Sequence, residues 1–196
     1  MIGRSMKGRA KVMLAVIAVA LAVVGGWAAP AQDKYTVRVP GGLGFADFRG
    51  YEDWLPVGPS ITDASHVIRL IVANPIMIRA YREGIPGNGK PFPDGSKIAK
   101  IEWEPRSITD APFSASTPDT VPGVLKEVEF IEKDSKKYKD TAGWGYAAFK
   151  YNDAASAFSP VTLADKPPQG NDTKCGAACH TLAASTDSIF TRYPKR

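Results

Sequence analysis

The chain has 196 residues, of which 44% are hydrophobic, and its formal net charge is +5. This length is that of one ordinary domain and is enough to bury a core, and the sequence contains no internal repeat and no long low-complexity run. The basic residues do not gather with aromatic residues into a cluster, which excludes the concentrated positive face that nucleic-acid binding requires.

The first 31 residues have the pattern of an export signal. A basic head precedes an uninterrupted apolar run over residues 12–24, and Ala29-Pro30-Ala31 provides a small-residue cleavage site. The run is shorter than the roughly 20 residues that span a bilayer, although residues 25–29 could extend it into an uncleaved anchor. We therefore predict a cleaved signal peptide over residues 1–31 and a periplasmic, nearly neutral domain over residues 32–196.

Two elements are predicted at the start of the domain. Residues 35–39 alternate between apolar and polar and end at Pro40, which predicts a short strand. Four aromatic residues then recur at every third position before Pro56, which predicts a helix whose aromatic stripe belongs to the core. The stripe consists of Phe45, Phe48, Tyr51 and Trp54.

A second strand and a capped helix are predicted next. Residues 66–73 are rich in Val and Ile, and their alternation sets Arg69 on one face with apolar neighbours. A charge in such a place is uncommon unless it is paired or functional, so Arg69 is a candidate site residue. Asn74-Pro75 is typical of an N-cap and a first helical position, which predicts a helix over residues 76–83 that is ended by Gly84.

Two longer strands carry the other candidate residues of the middle of the chain. Residues 97–104 alternate, and on pattern alone Lys100 is a solvated residue of this strand. Residues 124–133 set Glu129 between apolar neighbours on one face, with Phe130 on the other face.

The remaining segments are mostly predicted as connections. Residues 106–123 contain three prolines and indicate a flap or a dimer loop, and residues 134–140 indicate a polar turn. Residues 143–151 predict an aromatic strand, after which residues 152–174 are a loose connector. Strands therefore dominate the domain.

Both cysteines and one of the two histidines lie within six residues, Cys175-Gly176-Ala177-Ala178-Cys179-His180. Two thiols can form thioether bonds to the vinyl groups of haem while the adjacent imidazole binds iron, and the usual form of this motif is C-x-x-C-H. The spacer here is one residue longer, and its small side chains leave room for a bulge. We predict a haem c attachment site, with a disulfide loop between the two cysteines as the alternative.

Outside the leader, His66 and Met77 are the other strong axial candidates. Met77 lies in the apolar stripe of the predicted helix, where a thioether packs more often than it ligates. His66 begins a strand and is more typical of a surface residue. We therefore predict a five-coordinate iron that can accept a small molecule, as in a catalyst or a gas binder.

These features resemble the cytochrome P-460 family of exported haem c proteins, and the likeness covers most of the mature chain. The matching segments are Tyr51-Glu52-Asp53-Trp54, Ile68-Arg69, Asn74, Phe92-Pro93-Asp94-Gly95, Lys100, Lys133-Asp134-Ser135, Gly143-Trp144, Thr186-Asp187 and Phe190-Thr191-Arg192-Tyr193-Pro194. The spacer between the cysteines departs from the two residues of the family form. The resemblance implies an α+β, mainly β fold: an antiparallel sheet with a few short helices and a C-terminal haem c attachment segment.

The resemblance also implies roles for single residues. The two cysteines are the thioether anchors of one covalently bound haem c, and His180 is the proximal iron ligand. Lys100 matches the lysine that bonds to a porphyrin meso carbon in the hydroxylamine-oxidising members. Arg69 and Glu129 match polar positions near the distal face, and for each of them a structural ion pair is the alternative.

The activity that the resemblance implies is hydroxylamine oxidation with nitric oxide or nitrous oxide downstream, in which Glu129 accepts a proton and Arg69 steadies the pocket charge. A soluble c-type cytochrome is the expected electron acceptor, and family members are often homodimers. One alternative is a non-enzymatic cytochrome of the beta-type c-prime kind, which binds nitric oxide or carbon monoxide or transfers electrons, with Phe130 as an apolar cap. Whether Glu129 or Phe130 faces the iron is a question of strand parity. Another alternative is a haem-free structural domain with a disulfide.

Overall fold

In the described part of the chain, six strands form one sheet in which each strand pairs antiparallel with the next strand along the chain. The computed structural model describes residues 31–39, 43–62, 66–108, 119–161 and 176–195. The strands are β1 (Leu55–Thr62), β2 (Val67–Ala73), β3 (Lys97–Ile108), β4 (Asp119–Lys133), β5 (Trp144–Asn152) and β6 (Ala157–Pro160). The predicted α+β, mainly β fold is confirmed. The predicted signal peptide and its cleavage site lie outside the described residues.

The predicted capped helix is present as α1, Pro75–Arg82. The side chain of Asn74 accepts a hydrogen bond from the backbone N–H of Met77 at 3.1 Å, and proline occupies the start of the helix, where a backbone donor has no helical partner anyway. The Asn74 side chain also accepts from Lys97 N–H at 3.2 Å and donates to the carbonyl of Gly95 at 2.7 Å. The cap therefore also fixes the end of β2 against the start of β3. None of the described helices is long and apolar enough to cross a bilayer.

The aromatic stripe at the start of the domain belongs to the core, but the α-helix predicted there is wrong. Two short 3-10 helices, Phe45–Phe48 and Tyr51–Asp53, replace it, and Gly50 with φ of 80° lies between them. A spacing of three matches the three residues per turn of a 3-10 helix, which aligns residues i and i+3 on one side. The strand predicted over residues 35–39 is also wrong, because the chain forms a 3-10 turn, Lys34–Thr36, and one isolated bridge.

Neither edge strand was predicted from the sequence. β1 contains two prolines and one glycine, which remove the alternating pattern, yet an edge strand pairs on one side only and tolerates proline. β6 is a four-residue strand inside the segment predicted as a connector. The predicted flap is partly strand, since β3 continues to Ile108 and β4 begins at Asp119; residues 109–118 lie outside the described residues.

The two faces of the sheet are covered differently. The aromatic face carries Val72, Ala99, Val128, Phe130 and Phe149, which pack under the two 3-10 helices that supply Phe45, Phe48 and Tyr51. The polar face carries Arg69, Lys100, Glu102, Glu127 and Glu129 at its centre. Towards the α1 end of the sheet, a second apolar cluster covers the polar side and includes Met77, Phe92, Trp144 and Ile189.

Candidate functional site

Strand register brings the predicted site residues onto the polar face. Arg69 of β2 is paired with Glu102 of β3, and Lys100 of β3 is paired with Glu129 of β4. Paired residues of neighbouring strands share a face, and so do residues two positions apart along one strand. Arg69, Lys100 and Glu129, which lie far apart in the sequence, therefore meet at the centre of the sheet.

A chain of ion pairs links these side chains. Arg69 Nε donates to Glu102 Oε1 at 2.7 Å. Lys100 Nζ lies 3.1 Å from the same carboxylate oxygen and 2.6 Å from Glu129 Oε2. The Glu102 side chain is only 11% exposed, so the two cations offset the cost of burying its charge. Arg69 and Glu129 therefore both form the ion pairs that were the structural alternative to a functional role. These ion pairs lie at the predicted site.

Glu127 extends this arrangement and was missed by the sequence analysis. It lies two residues before Glu129 on the same strand and is paired in the ladder with Glu102, another carboxylate. Burial first, and then the neighbouring carboxylates of Glu129 and Glu102, raise the pKa of Glu127 to about 7, against a lowering by Lys100. The signal in the sequence was the i, i+2 spacing of the two glutamates on a strand. This carboxyl pair can hold a proton near neutral pH.

The structure shows which of the neighbouring side chains, Glu129 or Phe130, lies on the polar face of the sheet. The ring of Phe130 is fully buried on the aromatic face, where it stacks on Phe48 at a centroid distance of 4.2 Å. Glu129 points to the other side, to the Lys100 amino group. The Phe130 side chain therefore packs in the core on the aromatic face, and of the two residues it is Glu129 whose side chain lies on the polar face.

His180 lies beside the polar face at the end of a short helical segment, residues 176–180. Its ring is flanked by Tyr146, at a centroid distance of 4.7 Å, and by Phe190, at 4.9 Å. Nδ1 lies 2.5 Å from the carbonyl oxygen of Ser188, so Nδ1–H donates and Nε2 keeps its lone pair. Burial lowers the pKa of His180, an effect partly opposed by the Ser188 hydrogen bond and by Glu129. A neutral imidazole with an available Nε2 is the form that binds a metal.

The rest of the attachment motif is held close to β5. A side chain on Gly176 would have its Cβ 2.5 Å from Tyr146 Cγ, so only glycine allows this approach. Cys179 is exposed and lies next to the clefts described below, whereas Cys175 lies outside the described residues.

Two adjoining clefts, of about 250 and 420 Å³, meet at Lys100, Glu129 and His180. The first is also lined by Arg69 and by isoleucine side chains, and the second by Tyr146, Gly176 and Cys179. One imidazole with a free nitrogen, an adjacent thiol and apolar walls are the groups that a covalently attached haem needs. The described residues therefore fit a haem group. The two other axial candidates, the exposed His66 and the buried Met77, line neither cleft.

The geometry agrees with comparison to known proteins. The model of the cytochrome P460 family matches residues 48–191. This match covers all six strands, the polar face and the cysteine and histidine motif. No curated protein matches the sequence. Because the family match spans well over half of the chain, this protein belongs to the cytochrome P460 family and is a haem-binding cytochrome.

Proposed function

We propose that the protein is a periplasmic mono-haem c oxidoreductase that oxidises hydroxylamine and handles nitric oxide. The observation that carries the proposal is the convergence of the Lys100 amine, the Glu129 carboxylate and the His180 imidazole on the same clefts. Cys175, Cys179 and His180 would hold the haem, which when bound supplies a metal site for a small nitrogen ligand and an acceptor for its electrons.

Lys100 is the residue that we propose to bond to the porphyrin. The new bond would replace one N–H of the amine and the C–H of a porphyrin carbon, with release of two protons and transfer of two electrons to an external oxidant. Its Nζ lies among carboxylates at the meeting point of the two clefts, 2.6 Å from Glu129 Oε2. Once bonded to an aromatic carbon, an amine is no longer a cation near neutral pH. Of the five charged residues at the centre of the polar face, three carboxylates and the Arg69 guanidinium then remain, and the loss of the Lys100 charge favours the binding of a proton by these carboxylates.

Glu129 is the proposed proton acceptor. Hydroxylamine releases protons as it loses electrons, and a carboxylate within the cleft can accept them. Glu127 hydrogen-bonds Glu129, and the raised pKa of Glu127, about 7, suits proton exchange at neutral pH. Arg69 acts through Glu102, 2.7 Å away, to hold that side chain in place. The electrons would leave to a soluble c-type cytochrome, which can approach the motif where Cys179 is exposed.

The test uses the full chain expressed with haem c maturation machinery. Mass spectrometry of its peptides should find haem on the Lys100 peptide as well as on the peptide with the two cysteines, and the reduced protein should absorb well to the red of ordinary haem c. Lys100→Arg should keep the cysteine-bound haem and lose the red band. Lys97→Arg is the matched control, because Lys97 lies on the same strand but packs over Phe48 on the aromatic face.

Turnover is tested with hydroxylamine and an oxidised c-type cytochrome. Glu129→Gln should lower kcat by about 10² or more, since that is the usual contribution of a positioned acid or base. A wild-type protein that carries haem on the cysteines alone would contradict the cross-link. A haem protein that binds nitric oxide but leaves hydroxylamine unchanged would instead favour the gas-binding function.

A further inference from the structure

A buried ion pair lies next to the two clefts, although neither of its residues lines them. Lys133, at the end of β4, is 6% exposed, and its Nζ lies 2.8 and 3.1 Å from the two carboxylate oxygens of Asp187. The same ammonium donates to the carbonyl of Ala142 at 2.9 Å. The carboxylate of Asp187 also accepts from the backbone N–H of Phe92 at 2.8 Å. Asp187 is thus fixed to two separate parts of the domain.

This ion pair fixes an unusual turn. Asp187 and Ser188 both have left-handed backbone conformations, with φ of 51° and 63°, although neither is glycine. Non-glycine residues keep such a conformation only where their surroundings determine it strongly. The turn is held by the bonds to the Asp187 carboxylate and by Ser188 N–H, which donates to the carbonyl of Ala183 at 2.9 Å.

The turn presents one carbonyl to the candidate iron ligand. The carbonyl of Ser188 accepts from His180 Nδ1, and this bond fixes both the tautomer and the direction of the ring. We propose that Lys133 and Asp187 are positioning residues for His180, because their ion pair holds the turn that keeps the Ser188 carbonyl against the imidazole. The inference rests on the proposed role of His180 as the iron ligand, but not on any substrate.

A carbonyl that accepts from Nδ1 makes the imidazole a stronger electron donor, which favours the oxidised metal. Loosening the turn should therefore raise the reduction potential of the haem and weaken the bond between iron and His180. The variants are Lys133→Met and Asp187→Asn, the second of which keeps an oxygen for the Phe92 N–H. Lys133→Arg is the conservative variant that retains the charge.

The measurements on the haem-loaded full chain are the reduction potential and the iron–histidine stretching band in resonance Raman spectra. Lys133→Met and Asp187→Asn should both raise the reduction potential and move the band to lower frequency. Lys133→Arg should keep both values close to those of wild type. The matched control is Glu132→Gln, which breaks the neighbouring 2.9 Å pair between Lys97 and Glu132 and should move neither.

Two outcomes would overturn the inference. In one, Lys133→Met and Asp187→Asn unfold at lower temperature but keep the wild-type potential and band, which would mean that the ion pair is purely structural. In the other, the iron–histidine band survives in His180→Ala, which would mean that His180 is not the ligand. Neither readout depends on hydroxylamine turnover, so a failure of the proposed activity is distinguishable from a failure of the positioning role.

Discussion

The two faces of the sheet are made from alternating residues of the same strands, yet they have opposite chemistry. On the aromatic face Phe130 is fully buried among other rings, the nearest of them Phe48 at 4.2 Å. One residue earlier, on the polar face, Glu129 is partly exposed and lies within a cleft beside Lys100. Since a shift of one residue in register would exchange the faces, the aromatic packing that holds the register also holds the site in place. The largest stability effects should therefore come from substitutions on the aromatic face, and the largest effects on chemistry from substitutions on the polar face.

The strongest test of this division is Phe130→Ala. The deletion leaves a cavity among Phe45, Phe48 and Phe149, so the free energy of unfolding should fall by about 3–5 kcal/mol, measured by urea unfolding. Phe190→Ala is the control, because its side chain is 56% exposed and its removal should cost far less. If Glu129→Gln destabilised the protein as much as Phe130→Ala does, the faces would not be separable.

A smaller effect is expected where the attachment motif touches the polar face. In Gly176→Ala the new Cβ would lie 2.5 Å from Cγ and 2.8 Å from Cβ of Tyr146, atoms that adjoin the backbone of β5 and cannot turn aside. The motif must then move away from the sheet, which should lower the free energy of unfolding by about 1–3 kcal/mol. Thermal unfolding measures the loss, with Ala178→Ser at an exposed position as the control. An unchanged midpoint in Gly176→Ala would mean that the motif is not packed against β5.

The sequence predicted those parts of the fold that depend on local patterns. β2 and β5 have clear periodicity, and α1 has an N-cap that specifies its start. β1 could not be predicted in this way, because its prolines and glycine are acceptable only at a sheet edge, a position that the neighbouring strands determine. The aromatic stripe gave the correct core residues but the wrong helix type, since a spacing of three fits both kinds of helix over a few residues.

The candidate site, too, was predictable only where local patterns determine it. Arg69 and Glu129 were identifiable as charges with apolar neighbours on one face of their predicted strands, but their meeting with Lys100 depends on the register between three strands. Glu127 gave little signal, because its partner Glu102 lies on another strand. The orientation of His180 depends on the left-handed turn at residues 187–188, and no glycine marks that turn in the sequence.

The smallest predicted effect concerns Glu127 and depends on pH. The pKa of its carboxyl rises from 4.5 to about 7 on folding, so the folded protein binds this proton more tightly than the unfolded chain does. This contribution to stability is complete below about pH 4.5 and is lost as the pH rises through about 7. A glutamine has no charge to bury, so the Glu127→Gln variant does not lose this stability as the pH rises.

The variant Glu127→Gln should therefore match wild type in acid and exceed it by about 1 kcal/mol near pH 8, once solvent screening of this partly exposed group is allowed for. Urea unfolding at several pH values measures the difference, and Glu104→Gln, whose side chain is 56% exposed, is the control. Parallel pH profiles for wild type and Glu127→Gln would mean that Glu127 ionises as an ordinary surface carboxyl. Profiles that coincide in acid and separate as the pH rises through about 7 would instead mean that the polar face loses stability above neutral pH because it keeps a proton-binding carboxyl beside the cleft.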